Sequence, residues 1–212
     1  MSITTADLAG TGRTVLGRGA RLALGLLGLL LVVMLLGHSG PAAHAATPTG
    51  TTTTTASAKN TGPLLGWAQD TVYVQSDATS RWPVKTATER LSKGSGLKLV
   101  FVTTCPVRTS AAQPAVQCIS VSSGDLGGGT LAGTTHWTFD KSSNKITTVT
   151  TTLNDRWAKT ASYADRLNIA EHELGHGVGL DHVKRTSSIM NAVAHGKTKP
   201  DAGDLRALNA RY

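Results

Sequence analysis

The stretch His172-Glu173-Leu174-Gly175-His176-Gly177-Val178-Gly179-Leu180-Asp181-His182 decides how the rest of this chain is read. Two histidines four residues apart on a helix project from one face, about a turn apart. At that spacing both imidazoles reach one Zn²⁺ ion with N–metal distances of about 2.1 Å. Glu173 lies at the edge of the same face, close enough to touch a water at the metal without ligating it. Gly179 ends the helix, because glycine takes a positive φ at no steric cost. His182 follows three residues later and completes three neutral nitrogen ligands. A fourth position stays open for water, which is the pattern of a catalytic zinc site. Three neutral ligands leave the charge of the metal uncompensated, which lowers the pKa of water there towards about 7. Glu173 then serves as general base and acid, and no Ser or Cys nucleophile is needed.

Working outward, Ala164, Leu167, Ala170 and Leu174 recur every three or four residues and predict a helix over 161–177. Upstream, four runs rich in β-formers predict strands at 71–74, 97–102, 116–121 and 146–153. A fifth is expected over 130–139, after the glycine-rich loop 125–129. A short helix is expected over 84–91, stopped by Gly94 and Gly96, and a last helix over 201–211 with Asp201 as N-cap. These elements predict an α+β domain from about residue 63 to 212. Its twisted, mixed five-stranded sheet packs against the active-site helix, a second packing helix and a C-terminal helix.

Cys105 and Cys118 are the only cysteines. In an exported chain an even count favours a disulfide, here closing a short loop between two strands. Export is read from residues 1–45. Arg13, Arg18 and Arg21 precede the uncharged run Leu22–Leu36, and Ala43-His44-Ala45 supplies a small-x-small site. The pattern is that of a secretory signal cut after Ala45. The other reading is an uncleaved anchor that holds the domain at the cell envelope, but the apolar run falls short of the roughly 20 residues that span a bilayer. Residues 46–62 include Thr51–Thr55 and almost nothing large and apolar, so they are expected to form a flexible linker; a short pro-segment is the alternative.

Across its 212 residues the chain carries 21 Lys and Arg against 13 Asp and Glu, for a net charge of +8. The surplus is scattered, with no basic run longer than Lys184-Arg185 and no nucleic-acid motif, so no nucleic-acid partner is expected. A single long apolar run excludes a multi-pass membrane protein.

The eleven-residue stretch resembles the zinc-binding consensus of the metzincin metallopeptidases and is most similar to the matrixin branch. Ser187-Ser188-Ile189-Met190 resembles that family's Met-turn, which places a methionine beneath the zinc ligands. Gly128-Gly129-Thr130-Leu131-Ala132 is similar to the edge strand on which the family pairs extended substrate. By that resemblance Leu131 and Ala132 offer backbone hydrogen bonds to a peptide or protein substrate. The closing helix 203–212 is also similar. The histidines and aspartate of the family's second, structural zinc have no full counterpart, because His136 stands alone, and calcium is left open. The expected cofactor is one catalytic zinc.

The resulting expectation is a secreted, monomeric zinc endopeptidase that has no stable membrane association once its signal is cut. His172, His176 and His182 would bind the metal, Glu173 would move the proton, and Gly179 and Met190 would be structural. Two rivals remain at this stage: a zinc hydrolase acting on cell-wall peptide, and an exported binding module that uses zinc for stability alone.

Overall fold

The computed structural model describes residues 2–9 and 64–212. The apolar run at 22–36, the cleavage site at 43–45 and the linker 46–62 lie outside the described residues. The elements run β1 (Ser2–Ala9), β2 (Thr71–Ser76), α1 (Val84–Ser92), β3 (Lys98–Val102), β4 (Cys118–Gly124), β5 (Leu131–Asp140), β6 (Lys145–Asn154), α2 (Asp155–Ala158), α3 (Tyr163–Gly177) and α4 (Ala202–Asn209).

Strands β2 to β6 make the expected five-stranded mixed sheet, in the order β5-β6-β4-β2-β3. The pairs β2–β3, β2–β4 and β4–β6 are parallel, and β5 alone runs antiparallel, beside β6. Parallel neighbours need a crossover rather than a tight turn. Between β2 and β3 that crossover is α1. The β5–β6 hairpin closes through residues 141–144, where Asp140 Oδ1 accepts from Ser142 N at 2.8 Å and Asn144 takes a φ of 54°.

One face of the sheet is dry. Val72 and Val74 of β2, Ile119 and Val121 of β4, and Val149 and Leu153 of β6 are buried. Helix α3 lies over this face against β5 and β6 and also touches α1. On β6 the alternation is visible residue by residue: Val149, Thr151 and Leu153 are buried, whereas Thr148 and Thr150 are not. Threonines on the wet face add cross-strand hydroxyl contacts, such as Thr138 with Thr147 at 2.7 Å.

Cys105 and Cys118 form the disulfide, with Cα atoms 6.1 Å apart. It ties the loop after β3 to the first residue of β4, which begins at Cys118 rather than at Val116. Gln117 is turned inward instead, where its amide donates to the carbonyls of Gln69 and Thr71.

Three further features depart from the sequence reading. Helix α3 starts at Tyr163, because Ser162 is the cap: its hydroxyl accepts from Asp165 N at 3.1 Å. The short helix α2 was not expected; Asn154 caps it by accepting from Arg156 N. Strand β1, inside the segment read as a signal, pairs antiparallel with β5 and extends the sheet at that edge, with Ala9 opposite Leu131 and Asp7 opposite Gly133.

Candidate metal centre and active site

From Leu167 to Gly177 every residue of α3 is buried, so its two histidines are carried on a helix that cannot shift without disturbing the core. Each imidazole is oriented through its Nδ1. His172 Nδ1 lies 2.7 Å from the Ile189 carbonyl, and His176 Nδ1 lies 2.8 Å from the Leu180 carbonyl. A carbonyl only accepts, so both rings carry their proton on Nδ1 and present a bare Nε2.

Those nitrogens converge. His172 Nε2 and His176 Nε2 are 3.0 Å apart, and each is 3.1 Å from His182 Nε2. Lone pairs brought together at that range repel unless a cation lies among them. A tetrahedral zinc with bonds of about 2.1 Å would hold its nitrogens about 3.4 Å apart, close to the spacing found. Burial, followed by the neighbouring His176, holds His172 well below the ordinary histidine range. Burial, followed by His182, brings His176 down to about 4. Both stay neutral at physiological pH, as metal ligation requires. Among the described residues this is the one cluster of three or more ligating side chains.

His182 reaches the cluster because α3 ends where it does. Leu180 N donates to Gly175 O and Gly179 N to His176 O, both at 2.9 Å, the two bonds of a Schellman cap. Gly179 has φ +90°, and a Cβ there would collide with the Leu65 carbonyl. The helix-end carbonyls are met by side chains from distant parts of the domain. Trp67 Nε1 donates to Gly177 O at 2.9 Å, Tyr212 Oη to Val178 O at 3.0 Å, and Arg211 Nε to Gly179 O at 3.1 Å. Burial pushes the Tyr212 phenol up to about 12, so it remains a donor.

Met190 is buried with its Sδ against Gly175, directly beneath the helical turn that carries His176. Its turn is braced from α4. Asp204 accepts from Ile189 N at 3.0 Å and from the Ser188 hydroxyl, while Met190 N donates to Ser188 Oγ at 2.9 Å. Asp201 caps α4 as expected, in a reciprocal capping box with Asp204. Val183 N donates to Met190 O at 3.0 Å and so ties the His182 loop to the same turn.

Glu173 is buried between α3 and β5. Its Oε2 accepts from Thr135 Oγ1 at 2.7 Å, and a Cβ at Gly133 would lie 2.8 Å from its Cγ and Oε1. Trp137, also on β5, stacks on His176 with centroids 6.3 Å apart and planes 10° from parallel. Glu171, just before the first histidine, is fully buried; burial pushes its carboxyl up to about 8, with Arg90 Nη1 at 3.9 Å opposing the shift.

Ala132 is buried and Leu131 half-buried at the start of β5, on the strand facing β1; Leu131 O also accepts from Asn154 Nδ2 at 2.7 Å. His136 and His195 are exposed and away from the histidine cluster. The sequence reading singled out neither Thr135, Trp137 nor Asp204. Only Asp204 had a local signal, as the acid three residues after the cap Asp201; a threonine or tryptophan in a strand has none.

No curated protein matches the chain at a significant level. A family model does match: that of the matrixins covers residues 71–212, from β2 through the metal centre to the last residue of the chain. With the zinc-site helix, the third histidine and the buried methionine all inside that span, the chain belongs to the matrixin family.

Proposed function

We propose that this protein is an exported, zinc-dependent endopeptidase that hydrolyses peptide bonds in extended substrates. The matrixin match supports a zinc metalloendopeptidase. The single observation that carries the reading is the convergence of three Nε2 atoms, two of them stripped of their proton by an Nδ1–H bond to a carbonyl.

His172, His176 and His182 would hold the ion through these nitrogens. Zinc, when bound, supplies the Lewis acidity that activates water and polarises the scissile carbonyl. The remaining work belongs to the chain. Glu173 takes, on a carboxylate oxygen, the proton that water gives up as its oxygen joins the carbonyl carbon. It returns that proton to the nitrogen as the C–N bond breaks, so the amine leaves neutral. Trp137 and the helix-end bonds keep His176 from swinging, and Met190 fills the space beneath it.

Substrate would lie along β5 as an added antiparallel strand, with Leu131 and Ala132 in the pairing edge. The antiparallel pairing of β1 with β5 along that edge supports this reading. In the exported chain, cut after Ala45, that edge is released. No helix among the described residues is long and apolar enough to cross a membrane.

The test is cleavage of a quenched-fluorescent peptide library by the zinc-loaded protein, with Glu173→Ala as control. Cleavage that needs both zinc and Glu173, with zinc content unchanged in the variant, is the expected result. A folded, zinc-loaded protein that cuts no peptide would overturn the endopeptidase reading and direct attention to cell-wall amides or to a binding role.

A further inference from the structure

Glu173 is 1% exposed, and a buried carboxylate is costly unless hydrogen bonds meet it. Strand β5 supplies two features on one face, at positions two residues apart. Gly133 is a notch that lets the strand approach the Glu173 side chain, and Thr135 is a hydroxyl donor beside it. Thr135 is fully buried, and Thr151 stands directly opposite it on β6, its hydroxyl 2.9 Å away and also buried.

The proton inventory fixes the direction of these bonds. Thr135 Oγ1 has one hydrogen, and the acceptors in range include the Thr151 hydroxyl at 2.9 Å, the Glu173 carboxylate at 2.7 Å and the Glu173 main-chain carbonyl at 3.1 Å. That carbonyl holds a ladder position in α3, whereas the carboxylate is nearer and charged, so the hydrogen goes to Oε2. Thr151 then donates to the Thr135 oxygen, which completes a chain from Thr151 through Thr135 to Glu173. Both donors are β-branched and have few rotamers, which makes the chain stiff.

We propose that Thr135, oriented by Thr151, is a positioning residue that fixes the Glu173 carboxylate for proton transfer. The proposal rests on Glu173 acting as the proton carrier of the function proposed above. It adds a specific two-strand hydroxyl relay behind that carboxylate.

The experiment compares the zinc-loaded wild type with Thr135→Val, Thr135→Ser and Thr151→Val. Thr135→Val is close to isosteric and should lower kcat about tenfold, the worth of one hydrogen bond, with KM and zinc content unchanged. Thr135→Ser should restore most of the loss, and Thr151→Val should have a smaller effect in the same direction. If Thr135→Val does not fold, Thr151→Val with an intact kcat overturns the proposal, as does a folded Thr135→Val with kcat within twofold of wild type. A second readout does not depend on activity: a double-mutant cycle of Thr135→Val with Glu173→Gln on the denaturation midpoint. Non-additive shifts support the bond, and strictly additive ones overturn it. A wild type that cuts no peptide while the cycle shows coupling would sink the endopeptidase reading and leave the clamp on Glu173 standing.

Discussion

His172 is joined to Asp204 through the backbone of a single residue, Ile189. The Ile189 carbonyl meets His172 Nδ1 at 2.7 Å, and the Ile189 N–H donates to Asp204 Oδ2 at 3.0 Å. The first histidine of the metal cluster is therefore aimed by the Met-turn, and the Met-turn is held by the first turn of α4. Asp204→Ala removes the acceptor for Ile189 N and for Ser188 while leaving all three histidines in place. Zinc affinity should fall roughly tenfold or more, as for other groups that orient a metal ligand, measured by competition with a chromophoric chelator. Unchanged affinity in a folded variant would separate α4 from the metal site.

Gly179 meets two constraints at once: its φ of +90° and the Leu65 carbonyl, which occupies the space a Cβ would need. Gly179→Ala should cost more than about 2 kcal/mol, the strain of a non-glycine residue there plus a backbone clash. It should also displace His182. The denaturation midpoint in the absence of metal reads the first effect and zinc affinity the second; a loss confined to affinity would mean the turn relaxes without strain.

The Cys105–Cys118 bridge encloses a separation of 13 residues. A loop of that size contributes about 3 kcal/mol on the chain-entropy account. Reduction with zinc present should lower Tm by roughly 10 °C for a domain of this size. Because the loop lies beyond β3, at the sheet edge opposite β5, kcat measured below the transition should hardly change.

Acid should loosen α4 first. The Arg185 guanidinium beside Asp201, with help from Ser187, holds the Asp201 carboxyl below the usual carboxylate range. A carboxyl whose folded pKa is depressed contributes stability that is present above its unfolded pKa, near 3.8, and lost as pH falls. Asp201→Asn should therefore show a shallower fall in Tm below about pH 4 than the wild type, and a smaller stability at neutral pH. Parallel curves would assign the acid sensitivity to another group.

Much of this was legible from local order in the chain. Residues 172–182 name the helix face, its end and the third ligand, because a helix repeat and a φ-permissive glycine are properties of neighbouring residues. The alternation of Thr71–Val74 and of Ile146–Leu153, and the capping acid Asp201, are local in the same way. The starts of β4 and α3 were each missed by two residues, where a polar side chain, Gln117 or Ser162, found a partner that propensity does not register.

What only the tertiary structure decided is which distant atoms meet. Thr135 reaches Glu173 from 38 residues away, Ile189 reaches His172 from 17, and Trp67 reaches Gly177 from 110. Nothing in the neighbourhood of Thr135 distinguishes it from the other threonines of β5 and β6. Its role comes from strand register, which places it opposite Thr151 and beneath α3, and register is set by the packing of the whole sheet. The metal ligands were written into one stretch of sequence; the groups that aim them were assembled by the fold.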